Sequence, residues 1–377
     1  MDGSKDRGAA RSLPKPIPDR IKEAREAAGF TLESFAEALD KTRQAVAQFE
    51  NGQTSPSGDT FSNIIELTDQ PISFFVSTPP RAGGNSTVFW RSLKRMEQRH
   101  RNRMSRRLQW AADIAELANQ YVELPEVDIP HWEFDPEKAD DDDIESAAEH
   151  LREYWSLGEG PIGNLSDVME SKGIIIVREN VECADMDGLS SWIGGRPYVL
   201  LSGEVRSGPR DLFNLAHELG HIYLHATVEL NTKNLSMIEK QANRFASAFL
   251  MPADSFSKEV IGTSLEFFKS LKRRWGVAIA AMAYRCKDLK LISESQFSYV
   301  FRQMNVHKIR RVEPYDEAFP VSQPQVLGQA IRMIVDHEVI SRSDIEYRIG
   351  LNLSDVERLC SVEEGFLDQK VVRVQFR

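Results

Sequence analysis

The stretch Asp211-Leu-Phe-Asn-Leu-Ala-His217-Glu218-Leu-Gly-His221 decides how this chain is read. It lies on an amphipathic helical pattern. Positions i and i+4 of a helix share a face, so His217 and His221 present both imidazoles to one metal ion. Glu218 stands beside that face, where its carboxylate reaches a metal-activated water and acts as general base. A catalytic zinc site needs a third protein ligand. The best candidate is Glu239, in Ile238-Glu-Lys-Gln-Ala-Asn-Arg-Phe-Ala246, on the next apolar-periodic helix. Asn243, one turn on, is placed to hold a ligand imidazole by its other ring nitrogen. His225 adds a further i+4 step, read either as a spare ligand or, more simply, as a supporting or core histidine. One zinc ion per chain is expected.

Working outward, a helix ends at Gly173 and the β-branched run Ile174-Ile-Ile-Val177 reads as a strand. Leu189-Ser-Ser-Trp-Ile193 and Tyr198-Val-Leu-Leu201 flank Gly194-Gly195, a hairpin signal. The hairpin with Trp192, Gly194 and Gly195 is either the edge that aligns a peptide substrate by β-addition or an ordinary closure of a small sheet. Helical patterns run from about 211 to 295. The tail, from about 325 to 377, reads as short helices with a closing strand at its end. The helix, Gly turn and helix around Gly350 could form a second helix-turn-helix-like unit, but Asp355 and Glu357 argue against its entering a DNA groove and favour a packing or partner surface. The stabiliser of a developing oxyanion is not identified; Arg210, Tyr223 and His307 are candidates.

Upstream, Thr31 is an N-cap, and Leu32, Phe35, Ala36 and Leu39 share one helix face. Thr42 caps a second short helix whose apolar side carries Val46 and Phe49, closed by Gly52. Asp40 occupies the turn, where it tolerates the left-handed conformation. Two short helices joined by a tight turn describe a helix-turn-helix. The start of the second helix then faces base edges: Thr42 toward phosphate, Arg43, Gln44 and Gln48 toward bases, with Arg suited to guanine and Gln to adenine. A bundle used only for protein contacts is the competing reading. The Pro/Gly/Ser-rich stretch 77–86 reads as a linker. A basic helical pattern follows from 89 to about 122, either a solvated face or a set of phosphate contacts.

With 377 residues, 41% hydrophobic and 28% charged, the chain has room for two or three ordinary domains. A net charge of −10 excludes a coat of nucleic acid over the whole surface but not a local basic face. Three widely spaced cysteines without a C-x-x-C pattern exclude a disulfide framework and a thiolate zinc site. No apolar run reaches membrane-span length and the N-terminus lacks a signal-peptide pattern, so no membrane partner and a cytoplasmic location are expected.

Residues 19–76 resemble the XRE family of helix-turn-helix domains, through Ile21-Lys-Glu-Ala-Arg25, Thr31-Leu-Glu-Ser-Phe-Ala36, Thr42 through Gly52, and Pro56. Residues from about 89 to 314 resemble the ImmA/IrrE family of metallopeptidase-containing regulators. The motifs are Phe89-Trp-Arg-Ser92, Leu215-Ala-His-Glu-Leu-Gly-His221, Glu239-x-x-Ala-Asn243-x-Phe-Ala246, Leu250-Met-Pro252 and Leu271-Lys-Arg-Arg-Trp-Gly-Val277. This second resemblance implies a gluzincin-like site with His217, His221 and Glu239 as ligands and Glu218 as catalytic residue. It also implies substrates that are repressors or antitoxins, and the fusion adds the chain itself. XRE-like modules imply a homodimer on a double-stranded operator.

The expected architecture is therefore multidomain and mainly α. A disordered N-terminus (1–18) precedes an all-α helix-turn-helix bundle (19–76), then a linker and basic helix (77–125). An α+β gluzincin-like metallopeptidase domain with a small sheet (126–314) and a C-terminal helical subdomain (325–377) complete it. The expected function is a DNA-binding regulator with a zinc endopeptidase that answers a signal, stress among them. The alternative is a non-catalytic transcription factor or antitoxin whose metal site is structural or sensory.

Overall fold

Five short helices open the fold: α1 (Pro18–Ala27), α2 (Leu32–Ala38), α3 (Arg43–Glu50), α4 (Gly58–Thr68) and α5 (Ile72–Val76). Strand β1 (Val88–Trp90) and the long helix α6 (Gln98–Asn119) lead to α7 (Asp141–Tyr154) and α8 (Leu165–Ser171). Strands β2 (Ile175–Glu179), β3 (Gly188–Ile193) and β4 (Arg196–Ser202) precede α9 (Gly208–Leu224) and α10 (Leu235–Leu250). Then come α11 (Ala253–Glu259), α12 (Leu265–Trp275), α13 (Ile279–Asp288) and α14 (Glu294–Val306), and the tail forms α15 (Val326–Asp336), α16 (Arg342–Ile349) and α17 (Leu353–Leu359). This computed structural model describes residues 14–78, 88–90, 98–180, 187–203, 207–228 and 233–368. The expected mainly α architecture with a small sheet is present. Residues 1–13 of the expected disordered start, nearly all of the linker, Arg91, Ser92, Lys94, Arg95 and the closing C-terminal strand lie outside the described residues. Of the rest of that start, the Ile17 amide donates to the Phe75 carbonyl at 2.7 Å and Pro18 already belongs to α1. Among the described residues no helix is long and apolar enough to cross a membrane.

The sheet has the order β1-β3-β4-β2, with β2 parallel to β4 and the other pairs antiparallel. Strands β2 and β4 read as almost unbroken apolar runs because the sheet is buried on both faces. Ile176, Val199 and Leu201 point into a core with Leu215 and Leu219 of α9 and Phe245 and Phe249 of α10. Ile175, Val177, Tyr198 and Leu200 point the other way. That second core also holds Phe35, Val46 and Phe74 of the N-terminal helices, Leu108 and Trp110 of α6, and Ile331, Ile345 and Val356 of the tail. One apolar core thus joins the helix-turn-helix, α6, the tail and the back of the sheet.

The basic helical pattern expected from residue 89 is corrected here. Val88–Trp90 is a strand, and the described helix spans Gln98–Asn119. Val, Phe and Trp favour extended backbone, and pairing with β3 settles the choice. Helix α6 is also more than a solvated basic face. Arg106 Nε donates to Glu26 of α1 at 2.8 Å, and Trp110 Nε1 donates to Glu23 at 2.7 Å. The buried Arg107 donates to Asp355 of α17 at 2.5 Å, and Gln70 donates to the other oxygen of that carboxylate at 2.6 Å. Asp355 and Glu357 therefore face inward; Glu357 accepts from the Gly365 and Leu367 amides. The acidic residues of the tail thus serve packing within the chain, one of the two roles expected of that surface.

Candidate metal centre and DNA-facing helix

Helices α9 and α10 bring the donors together, and Gly220 lets them approach. A Cβ at Gly220 would stand 3.0 Å from Phe245 Cδ1 and 3.3 Å from the Ala242 backbone of α10. Across this contact Glu239 reaches the two imidazoles. His217 Nε2 and His221 Nε2 lie 3.0 Å apart. The Glu239 carboxylate oxygens lie 3.6 Å from the former and 3.5 Å from the latter. Two donors held about 2.0–2.1 Å from one tetrahedral ion stand about 3.3 Å apart, so this triad has the spacing of a shared metal. The His, His, Glu donor set suits zinc.

The tautomers point the same way. Asn243 Nδ2 donates to the Glu239 carbonyl at 2.7 Å, which turns Asn243 Oδ1 toward His217 Nδ1 at 3.2 Å. An amide oxygen only accepts, so His217 carries its proton on Nδ1. Gln241 Nε2 donates to the Pro136 carbonyl at 2.8 Å, turning its oxygen toward His225 Nε2 at 3.1 Å. His225 therefore carries its proton on Nε2. Burial, with the neighbouring His221 adding to it, pushes His225 down to about 3 against the hydrogen bond it donates to Gln241 Oε1, so it is neutral. Its Nδ1 must accept from His221 Nδ1, 3.2 Å away. With both Nδ1 atoms so engaged, Nε2 is the nitrogen each imidazole turns toward the other and toward Glu239. His225 thus stands behind His221 as a support, outside the donor triad.

Glu218 is buried against β3. Its Oε2 accepts from Ser190 Oγ at 2.7 Å. A Cβ at Gly188 would come within 3.0 Å of Glu218 Oε1, so glycine there leaves room for the carboxylate. Neither Ser190 nor Gly188 was singled out from sequence; the available signal was the serine pair Ser190-Ser191 inside the expected strand Leu189-Ser-Ser-Trp-Ile193. A cleft of about 690 Å³ opens beside the triad, bordered by Asn214 of α9, Asn243 of α10 and Tyr284 of α13. Of the oxyanion candidates, Arg210 lines this cleft and donates to the Arg310 carbonyl. The Tyr223 hydroxyl pairs with His150 Nδ1 at 2.7 Å, and burial raises its phenol. His307 is the C-cap of α14.

At the other end of the chain, Thr31 accepts from the Ser34 amide and Thr42 Oγ1 from the Ala45 amide, so both expected caps form. Asp40 takes φ 52°, the left-handed turn expected of it. Arg25 grips Glu50 with Nε and Nη2 at 2.6 and 3.1 Å, fixing α3 on α1. Val46 and Phe49 are buried, whereas Thr42, Arg43 and Gln44 are exposed and Gln48 is half-buried. The four residues expected to face DNA thus share the start and outer side of α3.

The comparisons with known proteins fall on the same two regions. Residues 21–75 match the helix-turn-helix family model. Residues 169–287 match the model of peptidase family M78, the IrrE N-terminal-like domain, a span that includes α9 and α10. No curated protein matches the chain. Over these two segments the chain joins a helix-turn-helix domain of XRE type to an IrrE/ImmA-like peptidase-family domain, in the order its motifs imply.

Proposed function

We propose that this chain is a cytoplasmic transcriptional regulator that binds an operator as a homodimer and carries a zinc-dependent endopeptidase. The reading assigns DNA recognition to 19–76, chemistry to 126–314, and bracing to α6 and to 325–377. His217, His221 and Glu239 hold the zinc, and Asn243 holds His217. Bound there, zinc supplies Lewis acidity and lowers the pKa of a water to about 7. Glu218 takes the proton of the attacking water and passes it to the leaving amine. Ser190 holds that carboxylate by its hydroxyl. The substrate is a repressor- or antitoxin-type protein, or the chain itself, cut in response to a signal.

The observation that carries this reading is the pair of imidazole Nε2 atoms 3.0 Å apart, with the Glu239 carboxylate 3.6 and 3.5 Å from them. The presence of Glu218 favours catalysis, since a purely structural ion has no need of a neighbouring base. The test is a survey of new protein N-termini in the native host, comparing the wild type with Glu218→Gln, with and without stress. A terminus that appears only with the wild type names the substrate. Identical termini under every condition would transfer the role to a sensory metal site.

A further inference from the structure

The outer edge of β3, the strand whose Ser190 holds Glu218, carries residues 88–90 of the chain itself. Pairing is antiparallel, with Val88 opposite Ser191, Phe89 opposite Ser190 and Trp90 opposite Leu189. Adjacent strands lie about 4.8 Å apart, so the backbone of Phe89 runs one strand-width from the serine that touches the proposed general base. An exposed edge beside a peptidase centre is where an extended peptide would add its backbone. Here that place is filled from within the chain.

We propose that the β3 edge is the docking edge for an extended peptide, and that residues 88–90 are its resident occupant, which a substrate strand must displace. The inference rests on the peptidase reading of the same site. Three features support it. Over the described residues the resident strand meets β3 at three pairs, against the six by which β4 holds the other side of β3, so there it is the less firmly held neighbour of the two. It lies in the chain between α5, which ends at Val76, and the described helix α6 (Gln98–Asn119), and among the described residues no other strand lies outside it in the sheet order. Its partner β3 is otherwise fixed, paired with β4 over six residues and packed on α9. Displacing β1 therefore exposes the edge without dismantling the sheet.

The test uses the full-length, zinc-loaded chain in a Glu218→Gln background, so that binding is read without cleavage. The probe is a labelled peptide of sequence Ser86-Thr-Val-Phe-Trp-Arg-Ser92. In V88P/F89P, which removes backbone donors from the resident strand, amide exchange at 189–191 should rise. Peptide affinity should rise at least about ten-fold, the factor expected when the resident is seated nine-tenths of the time. In V88C/S191C, oxidation should lock the pair and abolish peptide binding, and reduction should restore it. Equal affinity in the loosened, locked and parental chains would overturn the proposal, as would failure of the crosslink to form. Should V88P/F89P not fold, the locked variant decides alone. Peptide binding that follows these shifts, with no cleavage by the chain bearing Glu218, would keep the docking edge and discard the peptidase reading.

Discussion

Helices α3 and α9 carry the two candidate activities of this chain, and they are built in opposite ways. Helix α3 buries Val46 and Phe49 and turns Arg43 and Gln44 to solvent. Its polar residues wait for a partner outside the molecule. Helix α9 is buried nearly throughout, and its polar side chains are already held: His217 by Asn243, His221 by His225, and Glu218 by Ser190. A reading surface needs only a fixed backbone and free side chains. A centre that does chemistry needs each atom oriented before the reactant arrives. The helix-turn-helix is accordingly a local construction, whereas the metal centre draws on three separate elements.

The difference can be broken most directly at Glu218. Glu218→Gln is expected to lower proteolysis by about 10²–10⁴-fold, the usual weight of a positioned general base. Zinc content and operator affinity should stay at wild-type values, so a loss of either alongside activity would show that the two helices are not independent in this sense.

A nearly as large effect is expected where the two regions meet. Asp355 is buried between Arg107 of α6 and Gln70 of the N-terminal helices, and Arg358 also pairs with it. Asp355→Ala leaves the buried Arg107 with only the more distant Glu179 carboxylate, 3.8 Å away, and should cost up to about 3–5 kcal/mol in a denaturation experiment. Burial alone would raise the Asp355 carboxyl, but the Arg107 guanidinium outweighs it, aided by Arg358 and Gln70, and the group is held below its ordinary value. A depressed carboxylate contributes its full stability above its unfolded pKa of about 3.9 and loses it as pH falls through the lower folded value. The wild type should therefore lose more stability below pH 4 than Asp355→Asn does; parallel acid profiles would remove this ion pair from the account.

Support behind the metal donors gives a smaller effect. Gln241→Leu leaves all three donors in place but releases the tautomer of His225, and through it that of His221. Zinc affinity measured by chelator competition should fall about 10–100-fold, as for other residues that orient a ligand histidine. An unchanged affinity would mean that His221 needs no such relay. On α3 the expected loss is smaller again and confined to particular base pairs. Gln44→Ala should cost about 1–3 kcal/mol on the preferred operator and little on unrelated DNA. A uniform loss on all sequences would make Gln44 a backbone contact instead.

The contrast between the helices also explains what could be read in advance. The helix-turn-helix was legible because its caps, its turn at Asp40 and its apolar face all lie within a short run and follow local rules. His217, His221 and Glu218 were legible because helical periodicity fixes which neighbours share a face. Glu239 and Asn243 needed only that a second helix lie alongside. The relay through His225 and Gln241 to Pro136 was not legible, because it joins positions about a hundred residues apart. Nor was the strand at Val88–Trp90, where the basic residues that follow suggested a continuous helix.

The sequence by itself determined the helices, their caps, the two motifs and the donor residues on α9, since these depend on neighbours in the chain. Only the tertiary structure decided that one apolar core ties the helix-turn-helix to the back of the sheet. It alone decided that Arg107 is a buried strut rather than a phosphate contact, and that residues 88–90 take the edge beside Glu218. Each of these is a pairing between distant segments, set by burial and by the hydrogen-bonding needs of buried polar groups, which no local pattern encodes.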